Sequence, residues 1–474
     1  MPDAPAPLAV RRAGVLLHVT SLPGGDLGDD AYAFVDFLAD AGCTVWQVLP
    51  LVPVHEDERS PYNALSAMAL DPGLVDPGRR RAHGQERLAD LDLDQRVQHD
   101  AWCERQAHWL EPYAEFTVLR EQRPGRTWLD WEPGLRDRDP EAVAQALAGA
   151  EDRLAEVRLE QWVLDEQWRA LTTYAASRGV LLFGDLPIFV APDSADVWAD
   201  RRVFRLDAEG RPTTVTGVPP DYFAADGQRW NNPHYDWDAM AADDYAWWRG
   251  RIARQRELFD LVRIDHFRGF EAAWHVPVDA PTARDGHWVP GPGRAVLDAL
   301  VETAGEGTLV AEDLGVITEE VDALRLQAGL PGMKVLQFAF DGDPRNTHLP
   351  ESHGVESVVY TGTHDNDTTL GWWEAADDDT RRRVRERAGE GAMPWALVEL
   401  ALGSTARLCV VPAQDVLGLG AAARMNTPGL RDGNWGWRAP AGAFDPELAA
   451  RLRAAVERAE RLVPGEPDTA EHGS

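Results

Sequence analysis

Three short segments hold carboxylates in settings suited to acid, base or nucleophile chemistry. In Arg263-Ile-Asp265-His266-Phe-Arg-Gly269 the alternation of a strand puts Arg263 and Asp265 on one face. The guanidinium then favours the ionised carboxylate that a nucleophile requires. A purely structural ion pair leaves the same trace. In Val310-Ala-Glu312-Asp313-Leu-Gly315 a glutamate stands at the end of an apolar run, beside Asp313. Apolar walls and a neighbouring negative charge both favour the protonated form, as general-acid work needs. A retaining glycosidic transfer sets such an acid about 5 Å from its nucleophile, across the scissile bond. Helix capping is the competing use of this pair, and Asp313 satisfies it equally well. The third segment, Tyr360-Thr-Gly-Thr-His364-Asp365-Asn-Asp-Thr368, is unusually polar for a strand exit. Its His and carboxylate can hold vicinal sugar hydroxyls as an oxocarbenium-like charge develops. A turn or cap leading into the Trp372-Trp373 helix accounts for one of these acids, not for four polar side chains in a row.

Asp185, Asp265 and Glu312 on successive strand ends could instead hold magnesium. Such an enzyme needs a Lys or His base. The only lysine, Lys334, is read at the start of a strand, away from the acids, and zinc-type His-x-His and His-x-x-x-His spacings are absent. No metal and no cofactor are expected. The 19 Trp outnumber the 13 Phe and 8 Tyr, and several stand in polar contexts such as Gln228-Arg-Trp230-Asn and Gly433-Asn434-Trp-Gly-Trp437. Sugar rings lay apolar C–H faces on such side chains, although any single Trp is more often core.

Positioning these groups requires strands, and eight short apolar runs supply them: Val15 to Leu17, Thr44 to Leu49, Val180 to Phe183, Leu261 to Ile264, Thr308 to Val310, Val335 to Phe338, Ser357 to Tyr360 and Leu408 to Val411. Each is apolar at nearly every position, as in parallel strands buried on both faces. Helical patterns alternate with them, ending at Gly42 and Gly179. Most exits carry polar or charged groups: His18, Asp185, Asp265, Glu312, Asp365, and Gln414 with Asp415. A doubly wound open sheet also explains the alternation. Convergence of reactive exits favours a closed (β/α)8 TIM barrel, whose chemistry sits at the C-terminal strand ends. Connections of about 130 and about 75 residues, between strands 2–3 and 3–4, are too long for simple loops. The expected organisation is one catalytic barrel over 1–462, with insertion subdomains at about 53–177 and 189–255 and a disordered tail at 463–474.

Acids outnumber bases 79 to 47, for a net charge of −32 spread along the chain. That field disfavours nucleic acid and anionic membranes as partners. Three isolated cysteines, Cys43, Cys103 and Cys409, fit a reducing compartment. The N-terminus lacks a long apolar run before its arginines, and no stretch reaches the roughly 18 apolar residues of a membrane span. A soluble cytoplasmic protein is expected. Its oligomeric state is not legible.

With these residues in view, the chain closely resembles the amylomaltase family of 4-α-glucanotransferases, the disproportionating enzymes. Ordered motifs run from Gly14-Val-Leu-Leu-His18-Val-Thr-Ser-Leu-Pro23 through Ser60-Pro-Tyr62, Gly184-Asp-Leu-Pro-Ile188, Gly217-Val-Pro-Pro-Asp-Tyr-Phe223, Arg263-Ile-Asp265-His266, Ala311-Glu-Asp313 and Gly362-Thr-His-Asp-Asn366 to Ala423-Arg-Met-Asn-Thr-Pro428-Gly429 and Gly433-Asn-Trp435. The resemblance implies retaining transfer of α-1,4-glucan segments between maltooligosaccharides or glucans. Asp265 would be nucleophile, Glu312 acid/base and Asp365 transition-state stabiliser. By the same matching Tyr62, Asp185, Arg263, His266 and His364 line the donor sugar site, with Asp313 counted among the binding residues. Trp230 and Asn434 meet neighbouring glucose units, and the loop Pro219 to Trp230 covers the glucan. The sequence departs from the family in the short Gly24-Gly25-Asp26 stretch and in His55-Glu-Asp-Glu-Arg59. Asn231 replaces a usual glycine and Leu430 a common threonine. An α-amylase-type hydrolase using the same acids and a non-catalytic glucan-binding barrel are the alternatives.

Overall fold

Parallel pairing of the apolar runs organises the computed structural model, which describes residues 7–55, 57–220, 225–430 and 432–463. Within them lie twelve strands: β1 (Arg12–Leu16), β2 (Val45–Gln47), β3 (Leu181–Pro187), β4 (Thr214–Val218), β5 (Gln228–Pro233), β6 (Leu261–Asp265), β7 (Ala272–Pro277), β8 (His287–Pro290), β9 (Leu309–Ala311), β10 (Gly332–Val335), β11 (Ser357–Tyr360) and β12 (Leu408–Pro412). Eight are parallel neighbours in the order β10-β11-β12-β1-β2-β3-β6-β9. Ala311 N donates to Pro331 O at 2.9 Å where β9 meets the approach to β10. The result is a nearly closed (β/α)8 barrel, as the strand count and the polar exits predict. Except for Val463, the expected tail lies outside the described residues.

Alternation along the strands divides the side chains into two cores. Outward-facing residues such as Val15, Trp46, Leu182, Val262 and Ile264 pack under the surrounding helices. Inward-facing Leu16, Val45, Phe183, Leu261, Val310, Met333, Val358, Leu408 and others fill the barrel. Above Leu261 on the same face of β6 come Arg263 and then Asp265, so the apolar filling gives way to charge toward the C-terminal mouth. Tyr360 joins this transition by donating its hydroxyl to Gln47 Oε1 at 2.9 Å.

Two strands differ from their sequence reading in ways that bear on the site. The sixth barrel strand is Gly332–Val335, and Leu336–Phe338 turn into a 3-10 helix. The β-branched and aromatic run 335–338 drew the expectation downstream, whereas Gly332 and Lys334 disguise the true strand. Glycine is needed there: a Cβ at 332 would stand 2.2 Å from Asp313 Oδ2. Lys334 therefore lies inside β10, not at its start. Likewise β3 continues to Pro187 and carries Asp185 within the strand, opposite Arg263 in register.

The excursion between β2 and β3 is helical, built on Leu93–Glu121 and Glu151–Ser177. Its tryptophans Trp102, Trp109, Trp128, Trp131, Trp162 and Trp168 are all buried. They are the core of that layer, not sugar platforms. The excursion between β3 and β6 forms a second sheet, order β5-β4-β7-β8, and recruits β7 and β8 from beyond β6. Among the described residues no helix is long and apolar enough to cross a membrane, and no disulfide joins Cys43, Cys103 or Cys409.

Candidate active site

At the C-terminal mouth the barrel opens into a cavity of about 2260 Å³. Of the residues singled out from sequence, Tyr62, Trp230, Arg263, Asp265, His266, Glu312, His364, Asp365 and Asn434 line it. Asp185 and Asp313 do not; each lies one layer behind.

Arg263 is the hub. Its Nη1 donates to both oxygens of Asp185 at 2.7 Å, and its Nη2 to Asp265 Oδ1 at 2.8 Å. Tyr62 completes the row by donating its hydroxyl to Asp185 Oδ2 at 2.8 Å. Asp185 is thus satisfied beneath the floor, and a guanidinium fills the space between Asp185 and Asp265 that a shared cation would need. Burial works against the charge on Arg263, but Asp185 and Asp265 outweigh it and raise its pKa well above the ordinary value. For Asp265 the balance runs the other way. Burial lifts its pKa to about 6 against the pull of Arg263, with Asp185 and Asp365 adding to the rise. Arg263 tempers the burial of Asp265 without cancelling it.

Glu312 follows β9 and is 9% exposed. Its Oε2 accepts from His266 N at 2.7 Å and its Oε1 from Leu314 N at 3.0 Å. Those donors and Arg263 favour the ionised form. Burial exceeds them and, with Asp265 and Asp313 adding negative charge, raises the pKa to about 8. A proton at neutral pH sits on Glu312 before Asp265. Asp313 caps no helix, since the next begins at Glu319 after Thr318. It accepts from Met333 N at 2.6 Å and pairs with Arg325 Nε at 3.1 Å, fastening the Glu312 turn to β10.

Asp365 lies beyond β11 on the far wall. Asn426 Nδ2 donates to its Oδ1 at 2.6 Å, and His364 Nε2 stands 3.3 Å from the same oxygen. The helix after this loop is capped by Thr368, which accepts from Gly371 N, so Asp365 is free of that duty. The His364 ring stacks on Tyr62 with centroids 5.1 Å apart and planes 11° apart.

Trp230 stands edge-on to His266, centroids 4.8 Å apart. His266 itself has φ +52°, a left-handed conformation that turns the chain sharply out of β6. Burial, with Arg268 adding to it, lowers the His266 pKa to about 3, so the ring is neutral. Asn231 has φ +67°; asparagine tolerates this region better than most side chains. Asn434 spends its amide on the 427–434 turn, accepting from Thr427 N at 2.9 Å and donating to Leu430 O at 2.8 Å. Residues 221–224 of the covering loop lie outside the described residues.

Two further lining residues stand against the predicted ones: Asn426, which sequence reading did not single out, and Trp435, which it named only for its polar context. Asn426 sits inside the Ala423–Gly429 motif, and its place there was the available signal. Trp435 reaches the wall beside Tyr62 and His364, with centroids 5.8 and 6.0 Å away, and holds φ +61°. A bulky residue in that conformation is a strained one.

A (β/α)8 barrel whose mouth gathers three acids, the buried one proton-holding, around a cavity with aromatic walls belongs to the class of carbohydrate-active barrel enzymes. Comparison narrows the class. Residues 17–94 and 79–443 match the model described as 4-alpha-glucanotransferase. The chain is 45% identical to the 4-alpha-glucanotransferase of Thermus thermophilus, across 95% of this chain and 99% of that one. It is 43% identical to that of Synechocystis sp., across 90% and 94%. The amylomaltase of Streptococcus agalactiae, solved in complex with acarbose, superposes with a TM-score of 0.90 at 29% identity, covering 95% of this chain and 99% of that chain. The amylomaltase of Corynebacterium glutamicum shares the fold, with a TM-score of 0.74 at 18% identity, over 96% of this chain and 75% of that one. The chain belongs to the 4-alpha-glucanotransferase family and is an enzyme of that glycosyltransferase activity.

Proposed function

We propose that Asp265, Glu312 and Asp365 carry the transfer of α-1,4-glucan segments between maltooligosaccharides by double displacement. The observation that supports this reading most is the unlike setting of two acids in one cavity: Asp265 pairs with the Arg263 guanidinium at 2.8 Å, whereas Glu312, the more buried, accepts from the amides of His266 and Leu314 and is pushed up to about 8 by burial. In the first step an Asp265 oxygen forms a bond to the anomeric carbon. The glycosidic bond breaks, and its oxygen takes the Glu312 proton as the shortened glucan leaves. In the second step the Glu312 carboxylate removes the proton of an acceptor hydroxyl, whose oxygen displaces Asp265 and restores the α-linkage. Asp365, with His364 beside it, holds hydroxyls of the donor ring while the anomeric carbon carries positive charge.

The binding roles follow the same geometry. Tyr62, His266 and His364 wall the donor ring, and Trp230 offers an aromatic face to the adjoining glucose unit. Asp185 and Asp313 act from behind, through Arg263 and through the Glu312 turn, and Asn434 acts through the turn it ties. The cavity exceeds the roughly 300–1,000 Å³ of ordinary small-ligand pockets, which suits a chain of sugars on each side of the scissile bond. An acceptor glucan that fills the mouth keeps water from the intermediate and favours transfer over hydrolysis.

Incubation with maltotriose tests the reading. A ladder of longer maltooligosaccharides should appear with glucose or maltose, and should vanish in Asp265→Ala and Glu312→Ala. Shorter sugars alone would mean hydrolysis, and an undiminished ladder in either variant would remove that acid from the mechanism.

A further inference from the structure

The third carboxylate is oriented by a segment that follows the last barrel strand. Asn426 Nδ2 donates to Asp365 Oδ1 at 2.6 Å, and His364 Nε2 approaches that same oxygen at 3.3 Å. Among the described residues nothing donates to Oδ2. The backbone is held in parallel: Arg424 donates from Nη2 to Asp365 O and from Nε to Asn426 O, both at 2.7 Å, and Asn426 N donates to His364 O at 3.1 Å. At the feet of the same loop, fully buried Asp415 accepts from the hydroxyls of Thr361 and Thr369, each at 2.6 Å, and from Thr369 N at 2.7 Å. One carboxylate therefore staples both ends of 361–369 to the exit of β12, while Asn426 sets the carboxylate at its tip.

We propose that Asn426 is a positioning residue for glucan transfer. Its amide occupies Asp365 Oδ1, fixes the rotamer of that carboxylate and leaves Oδ2 directed at the donor sugar. The inference rests on the reading of Asp365 as the transition-state stabiliser. Its chemistry depends on donation: an amide N–H can bond a carboxylate, whereas a second ionised carboxylate at 426 would repel it.

The test compares wild type, Asp365→Ala, Asn426→Ala and Asn426→Asp, with kcat and KM for maltotriose measured from acid to neutral pH and a melting temperature for each. Loss of orientation in Asn426→Ala should lower kcat by about 10- to 100-fold, with KM and melting temperature little changed. Asn426→Asp should be worse than Asn426→Ala at neutral pH. Its kcat relative to wild type should climb as pH falls, because a proton shared by the two carboxylates restores a donor to Asp365. A packing role would not produce that pH-dependent recovery. Wild-type kcat in Asn426→Ala beside an inactive Asp365→Ala would overturn the positioning role and leave the reading of Asp365 standing. A flat Asn426→Asp ratio with lowered melting temperature would also overturn it. Full activity in Asp365→Ala would overturn both.

Discussion

Asp265 and Glu312 both raise their pKa through burial, and the difference between them decides which holds a proton. Arg263 touches Asp265 directly at 2.8 Å, whereas two backbone amides reach Glu312. In the proposed mechanism the working form has Asp265 ionised and Glu312 protonated. For maltotriose, kcat/KM should therefore rise as pH climbs past about 6 and fall beyond about 8. The two limbs belong to the coupled pair. The alkaline limb should disappear in Glu312→Gln given a glucosyl donor whose leaving group needs no proton; its persistence there would assign that limb to another group. The carboxylates themselves were legible because Arg263, Glu312 and His364 stand in telling company along the chain. Asp313 was not, because sequence adjacency to Glu312 does not reveal that its side chain turns away to Met333 N. Asn426 and Trp435 meet Asp365, His364 and Tyr62 only through the folding of a segment that follows β12.

At the scale of elements, most barrel strands were legible because parallel strands buried on both faces are written as unbroken apolar runs. β10 was displaced because Gly332 and Lys334 interrupt such a run. β7 and β8 were missed because antiparallel strands need no unbroken apolar run; β8 is exposed at His287 and Pro290 and half-buried between them. The close approach at Gly332 ties strand to site. A methyl at 332 would push against Asp313, which Met333 N and Arg325 hold from both sides. Gly332→Ala should then destabilise the protein by about 1–3 kcal/mol, as overpacking does, and should lower kcat through the displaced Glu312 turn. Urea unfolding alongside kcat checks both; loss of stability with wild-type kcat would separate Asp313 from the acid.

Over the whole molecule, charge and stability occupy opposite ends of the barrel. At the C-terminal mouth stand the acids. Toward the other end Arg461, fully buried, donates to the carbonyls of Leu402 at 2.7 Å, Ser404 at 2.8 Å, Arg12 at 2.9 Å and Arg407 at 3.3 Å, pinning the end of the C-terminal helix to β1 and β12. The long excursions stand around the mouth and contribute residues such as Arg120, Thr127, Phe189 and Asn232 to its walls. Family membership and the barrel follow from motifs spread over the chain, whereas the course of double displacement depends on one bond. The most direct test is to incubate Glu312→Gln with an activated α-maltosyl fluoride, digest the protein and map the adduct by mass spectrometry. A maltosyl ester on the peptide at Asp265, absent when Asp265→Asn is added, is the predicted result. An unmodified Asp265 with the donor consumed, or an adduct on another residue, would contradict it.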